Sequence, residues 1–598
     1  MTNGNWKFGL AGLIAVAALG LICPLLAAPR VPLVDPDEGL HAAIAQEMVE
    51  RGDWLVPRLF GEPYFERPIF YFWAIAASLK TFGMSEAAVR LPGFLFGMLC
   101  TLSTAAIAWR LLGRRTGLLA GLFYASMVLP MALVQLPGYD APLVTWVNLA
   151  LLCLWESEGE RRKGKGGRMK DEGPFRLPPF AVRLSPWTLA AGMFLGLAIL
   201  TKGLIGVALV GIAYGGYLIV SRRIRRIHCY RAALALTVAA IIGSWWYIVM
   251  ARSCPGYLRY YFVGRHLLGF LTNSQPHGME PWWYYFPVLV VGGMPWLGYL
   301  PALVRDAIDR VRSKTPATRH PGYWVPAGCP ADASGNRPVL LLGCWFVGCT
   351  LFLMLSRSKF ATYVWPVFPA IATLAAIAWV RKIDGALSDG ARRWMGRIVW
   401  STCLVGPLAL PAVFAATRIA SPVRYSRPEW MLAVTAGLTS LAPLWSWRRG
   451  RDRLTVALAA TSVCGQMAVL LFCALPSVAG MLTGRDLADY CNRTRQLPSR
   501  LLLAREQVGS VVFYLDPDLR RRLQPGQITE QGIENPLPLP AWDTKEWIVI
   551  PERYVRAASR CYDLSEPPFE QAGRFRVYQR NDVEPRARVG QLDDRLLR

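Results

Sequence analysis

AALALTVAAIIGSWWYIVM, residues 232–250, runs for nineteen positions without a charged side chain. A helix needs about 20 mostly apolar residues to cross roughly 30 Å of hydrocarbon. The block therefore reads as a transmembrane helix rather than as the core of a soluble domain. Blocks of the same character lie at 8–26, 94–109 and 205–220. Working outward from them gives about thirteen spans. They fall near residues 7–29, 87–109, 116–135, 141–155, 187–201, 204–221, 232–250, 283–303, 338–355, 362–380, 397–416, 430–447 and 454–476. The whole chain agrees, with 598 residues that are 53% hydrophobic and 12% aromatic. An all-α polytopic membrane protein is expected.

The first block follows Lys7 and ends near Ala27-Ala28, a pattern shared with secretory signal peptides. Their apolar regions usually run for about 7–15 residues. This block is longer and is followed by further membrane helices, so it reads as a first span. A net charge of +26 would suggest nucleic acid if Lys and Arg formed one face of a soluble fold. Here they occur in short runs between apolar blocks, and no nucleic-acid partner is expected. The thirteen cysteines include no CxxC pair, and most lie inside apolar blocks as small core residues. Only Cys491 and Cys561 share a soluble segment, where a disulfide between them stays open.

Basic loops set the orientation, because Lys and Arg near span ends stay on the cytoplasmic side. With the N-terminus inside, the stretches 110–115, 161–183, 222–226, 305–319, 381–397 and 448–453 all return to the cytoplasm, together carrying about thirty Lys and Arg. The outer segments are then 30–86, Pro137-Gly138-Tyr139-Asp140, 252–283 and Ser356-Arg357-Ser358-Lys359, plus everything after about residue 480. That tail is less apolar and has short β-rich runs at 510–515, 546–551 and 575–579 between Pro, Gly and charged turns. Two domains are expected: a membrane domain at 1–480, with a first outer loop of interfacial helices at 30–86, and a small α/β extracytoplasmic domain at 481–598.

Chemistry gathers on the outer side. Val34-Asp35-Pro36-Asp37-Glu38-Gly39 opens a helix-like run, where carboxylates can cap free N–H groups. A second lone carboxylate, Asp140, stands at the outer end of another span. Ionised groups near hydrocarbon cost about 2.5–3.5 kcal/mol at a helix centre and less toward the interface. Two such sites on one face therefore suggest a shared role. A carboxylate can act as general base on a hydroxyl, and Asp37 with Asp140 can also hold a divalent cation through oxygen ligands. No cofactor is otherwise implied. The outer cations Arg58, Arg67, Lys202, Lys359 and the Arg265-His266 pair can snorkel singly; as a set they suit a phosphate at headgroup level. Trp283, within Trp282-Trp283-Tyr284-Tyr285, reads more readily as an interfacial belt than as a sugar platform. His41 follows Glu38 on the same helical face, and His277 shows no partner in sequence.

These segments, in this order, resemble the C-type glycosyltransferase superfamily (GT-C), in the branch of the bacterial aminoarabinose lipid A transferases and related protein O-mannosyltransferases. Asp37-Glu38 is similar to the acidic motif of that family's first outer loop, and Gly52-Asp53-Trp54-Leu55-Val56-Pro57 with Tyr64-Phe65-Glu66-Arg67-Pro68 to the segment after it. Asp140 matches the second acidic position and Thr201-Lys202-Gly203 a Thr-Lys-Gly motif. Arg265-His266, the aromatic run at 282–285, and Ser358-Lys359 with Thr362-Tyr363 are similar to the later loops.

The resemblance implies inverting transfer of a sugar from a polyisoprenyl-phosphate carrier to a glycolipid or protein acceptor. It places the active site on the periplasmic side of the inner membrane, in a protein read as a monomer among membrane lipids. It makes Asp37, Asp140 and Glu38 the catalytic candidates and Arg58, Arg67, Lys202, Lys359 and Tyr363 the carrier-phosphate candidates. Asp35, Glu66, His266 and Trp283 are candidates for positioning donor or acceptor. Three departures leave sugar and acceptor open: Glu66-Arg67-Pro68 replaces Glu-Lys-Pro, 267–270 lacks a basic residue, and 356–360 replaces a lysine-rich turn. A lipid-linked glycan flippase and an O-antigen-type ligase are the competing readings. The first would show ionisable residues at mid-membrane and inverted repeats, and the sequence has neither.

Overall fold

The computed structural model describes residues 26, 28–134, 136, 138–166, 185–268, 280–313, 337–356, 358–420, 424–504, 508–524, 527–531, 546–560, 562–579 and 584–585. Most of the expected first span, His277, Arg357 and Cys561 fall outside them. The chain divides into two compact units: Met1–Ala28, Phe65–Tyr71 and Arg90–Ala474; and Pro29–Tyr64, Phe72–Val89 and Leu475–Arg598.

The first unit is helical. Among the described residues six helices are long and apolar enough to cross a membrane: Glu86–Leu112, Arg226–Ser253, Arg337–Leu355, Ala361–Ile383, Asp389–Ile419 and Asp452–Gly480. Pro186–Lys202 and Ile205–Val220 are shorter apolar helices. Large aliphatic side chains such as Ile241 and Leu408 are 68% and 69% exposed, which a protein surrounded by lipid tolerates and one in water does not. Ala361–Ile383 is the most enclosed helix, and its alanines Ala370, Ala372, Ala375, Ala376 and Ala378 let neighbours approach closely.

Two expected spans are interrupted. The 116–135 block forms Arg114–Ala125 and Val128–Leu133, with Met127 extended between them. The 283–303 block becomes Tyr285–Gly292 and Leu297–Arg312, bent by 99°. Pro295 has no N–H to continue the ladder and disfavours helical geometry at Met294. Counted as one span, this pair brings the total among the described residues to seven.

A buried ionic knot closes one end of this unit. Asp306, with no exposed surface, accepts hydrogen bonds from Arg310 Nε at 3.0 Å, Arg381 Nη1 at 3.0 Å and the Ser388 backbone N–H at 2.8 Å. Asp306→Ala leaves two guanidinium groups without their shared anion. Breaking such a buried pair costs about 3–5 kcal/mol. The expected result is a clearly lowered thermal unfolding midpoint in detergent.

The second unit joins the first loop to the C-terminal segment. Its sheet runs in the order 528–531, 500–504, 546–551, 575–579, 570–572; the first three strands are parallel and the last two antiparallel. Side chains alternate across it. Leu501, Leu503, Val549, Phe575 and Val577 enter one core, and Leu502, Ile548, Ile550 and Tyr578 the other. The strands expected at 546–551 and 575–579 form, but 510–515 does not. Gly509–Tyr514 is a helix, because burial of Val511, Val512 and Phe513 outweighs the β preference of β-branched and aromatic residues. It crosses the Asp37–Arg51 helix backbone to backbone. A Cβ at Gly509 would lie 2.5 Å from the Leu40 backbone, and one at Gly39 2.5 Å from the Ser510 nitrogen. The first loop holds the helices Asp37–Arg51 and Phe70–Phe82, yet Arg58 lies on neither. It sits in a short hairpin of Arg58–Leu59 with Glu62–Pro63.

Asp35 fastens this unit. Its Oδ1 accepts from the Ser510 N–H at 3.0 Å, Ser510 Oγ donates to its Oδ2, and its own N–H donates to the Leu482 carbonyl at 2.8 Å. Hydrogen bonds to charged groups contribute about 1.5–3 kcal/mol. Ser510→Ala is expected to destabilise the unit by about that amount and to speed protease cleavage within 30–64. Cys491 lies buried in the same core, and burial pushes its thiol up to about 11.

Candidate active site

Asp140 is the first residue of the Asp140–Gly166 helix, and Lys202 the last of Pro186–Lys202. Each charge complements its helix dipole, the anion at an N-terminus and the cation at a C-terminus. Gly203, at φ +69, stops the second helix directly after Lys202. Lys202 Nζ donates to Asp140 Oδ1 at 2.5 Å, with both side chains nearly enclosed. The same ammonium lies 4.4 Å from the centre of the Tyr363 ring, a cation–π contact. Thr201 locks the arrangement: its hydroxyl donates to the Leu197 carbonyl at 2.7 Å and accepts from Trp146 Nε1 at 3.1 Å. The Thr-Lys-Gly sequence thus supplies a helix tie, a charge and a stop.

Around this pair the first unit gathers more of the expected residues. Arg67, half-buried, lies with its guanidinium 5.5 Å from the Tyr139 ring, on the residue before Asp140. Glu66 beside it is also half-buried. Lys359 is buried at the entry to the Ala361–Val367 turn that carries Tyr363, and its Nζ donates to the Glu280 carbonyl at 3.2 Å. Burial lowers the Lys359 pKa below the usual lysine value, with the Glu280 charge opposing. Trp283 is exposed on a turn. His266 lies on the Arg259–Leu268 helix, its side chain outside the described residues.

In the second unit the acidic motif divides its work. Glu38 is buried, and its Oε2 accepts from the Val34 N–H at 2.8 Å, so Glu38 rather than Asp37 holds the helix start. Asp37 is exposed, and among the described residues its carboxylate has no partner. His41 is buried edge-on against Phe72. Arg58 donates to the Gly61 carbonyl at 3.3 Å and lies 3.9 Å from Asp53.

Among the described residues no three His, Cys, Asp or Glu side chains gather as a metal site. Asp140 is engaged by an ammonium, which a divalent cation would have to displace. Trp146 and Tyr139 belong to the site although the sequence did not single them out. Aromatics on apolar helices look alike whether they pack a core or brace a charge.

Residues 66–165 match the family described as dolichyl-phosphate-mannose-protein mannosyltransferase. A protein of Aeromonas salmonicida named undecaprenyl phosphate-alpha-4-amino-4-deoxy-L-arabinose arabinosyl transferase is 30% identical over 394 residues, 65% of this chain and 63% of its own length. The protein of the same name from Pseudomonas aeruginosa is 30% identical over 418 residues, 69% of this chain and 67% of its own length. The crystal structure of ArnT from Cupriavidus metallidurans bound to undecaprenyl phosphate superimposes with a TM-score of 0.69 at 23% identity, covering 95% of this chain and 98% of that one.

The fold is that of the Cupriavidus metallidurans ArnT structure, a bundle of apolar helices long enough to cross a membrane. The chain belongs to the family of the undecaprenyl phosphate-aminoarabinose arabinosyl transferases. The matched stretch spans less than two thirds of the Aeromonas relative's length.

Proposed function

We propose that the protein transfers a sugar from undecaprenyl phosphate, or a closely similar polyisoprenyl phosphate, to a glycolipid acceptor of the lipid A type at the periplasmic face of the inner membrane. Family membership favours this over a flippase. The observation that carries it is the Asp140–Lys202–Tyr363 cluster, an enclosed cation held in place at the end of an apolar helix.

In the transfer the anomeric carbon–phosphate oxygen bond breaks as the acceptor oxygen forms its new bond from the opposite face. Lys202, with Arg58, Arg67 and Lys359, holds the phosphate and stabilises the charge it gains on leaving. Asp140 fixes the Lys202 ammonium, and Tyr363 flanks it. Asp37, an exposed carboxylate with no partner among the described residues, takes the acceptor hydroxyl proton. Asp35 and Glu38 act through the backbone they hold. Glu66, His266 and Trp283 are assigned to positioning donor or acceptor.

Thirteen spans, a membrane domain at 1–480, an extracytoplasmic α/β domain at 481–598 and a monomer complete the proposal. The donor sugar to try first is 4-amino-4-deoxy-L-arabinose, as in the relatives' names. The match over 66–165 makes a protein hydroxyl the second acceptor to try. The test is reconstitution with that donor and lipid A, following release of free undecaprenyl phosphate. Acceptor-dependent release is expected. Movement of the intact donor across the bilayer, with no release on any acceptor, would overturn the proposal.

A further inference from the structure

The first unit contains a cavity of about 1080 Å³ between the helices Leu300–Ser313, Arg337–Leu355, Phe368–Ile383 and Asp389–Ala420. It shares no lining residue with the Asp140–Lys202 site. Its walls are aliphatic and aromatic: Val304, Ile308 and Val311 form one face of their helix, with Phe346, Val347 and Ile377 opposite. Val304, Val311 and Val347 are more than half exposed. Such a surface is stable only in a membrane or under an apolar occupant.

One end of this groove is strongly basic. Arg305, Arg312, Arg381, Arg393 and Arg397 all line it. Arg305 is paired with Asp309, and Arg381 with Asp306. Arg312, Arg393 and Arg397 are exposed and, among the described residues, have no acidic partner. Arg393 and Arg397 stand one helical turn apart on the same face. Of these, Arg312 stands at the end of the helix Leu300–Ser313 and Arg393 and Arg397 in the first turns of Asp389–Ala420, while Phe346, Val347 and Ile377 lie within their helices. One end is charged and the other leads into apolar helix walls.

We propose that this groove holds an anionic diacyl phospholipid of the cytoplasmic leaflet, with acyl chains along Val304, Ile308 and Val347 and its phosphate at Arg312, Arg393 and Arg397. Charge complementarity selects the anionic headgroup, since guanidinium groups pair with phosphate oxygens, and basic pockets between membrane helices suit such lipids. The apolar walls exclude a soluble anion as the main occupant. The site does not depend on the transferase reading. An inactive protein would still bind the lipid, and an active one without it would leave that reading intact.

The test uses the full-length protein in nanodiscs containing phosphatidylglycerol, phosphatidylcholine or undecaprenyl phosphate, with retained lipid counted by native mass spectrometry. Wild type is expected to retain phosphatidylglycerol over phosphatidylcholine. Arg312→Gln/Arg393→Gln/Arg397→Gln should weaken that retention about tenfold or more, phosphate contacts being charge-assisted. Val347→Trp, which fills the groove and leaves the arginines in place, should weaken it as well, and the unfolding midpoint identifies any variant that has not folded. Equal retention of phosphatidylcholine, displacement by undecaprenyl phosphate alone, or unchanged retention in both folded variants would overturn the proposal. So would a cross-link from residue 347 to another segment of this chain.

Discussion

Lys202→Met is expected to slow release of the carrier phosphate by roughly 10²–10³-fold, the effect of removing one donor aimed at developing negative charge. The loss should fall mainly on kcat, because the leaving phosphate gains charge as its bond to the sugar breaks. The substitution also strands Asp140, and an unpaired buried charge costs about 3–5 kcal/mol. A poorly folded protein would give the same low rate. Lys202→Met with Asp140→Asn separates the two causes, because the double variant has no stranded anion. Near wild-type stability combined with the same low rate is expected. Lys202→Arg should fall between, since guanidinium carries the charge in a planar fork that does not fit the point contacts of an ammonium. A full rate in Lys202→Met would remove the residue from the mechanism.

Asp37→Asn is expected to lower transfer to a hydroxyl acceptor by roughly 10²–10⁴-fold, the contribution of a positioned general base. Its unfolding midpoint should not move, because the carboxylate is exposed and makes no bond among the described residues. Glu38→Gln provides the opposite case. It weakens the bond to the Val34 N–H, so it should reduce stability more than chemistry. With a phosphate-bearing acceptor already ionised at neutral pH, Asp37→Asn should lose its effect, so the same variant reports which acceptor oxygen attacks. Equal turnover of wild type and variant on a hydroxyl acceptor would mean that Asp37 is not the base.

Apolar length made the helical membrane fold legible, because it follows from the solvent rather than from particular contacts. The sequence reads 283–303 as one span, whereas the structure bends it by 99°, an angle that depends on how neighbouring helices pack. The 510–514 helix defeated a local reading because its β-branched run is buried against a partner far away in the sequence. At the site, Asp140 and Lys202 were each legible as odd charges at span ends. Their direct bond joins residues 62 apart, a distance set by two helices that Trp146 and Thr201 tie together. Asp35 read as one more acid in a cluster, whereas its partner is Ser510.

The Asp35–Ser510 fastening has a consequence for how the protein is made. Its two ends are separated by 475 residues. At about 5–20 residues per second of synthesis, the ribosome needs roughly half a minute or more to supply the second after the first. The loop bearing Asp37 is therefore synthesised long before the segment that finishes its packing exists. A chain stopped before residue 509 would have its helices and still lack the Ser510 partner of Asp35, so the order of synthesis makes the arrival of the 509–514 helix the step that fixes the start of the Asp37–Arg51 helix.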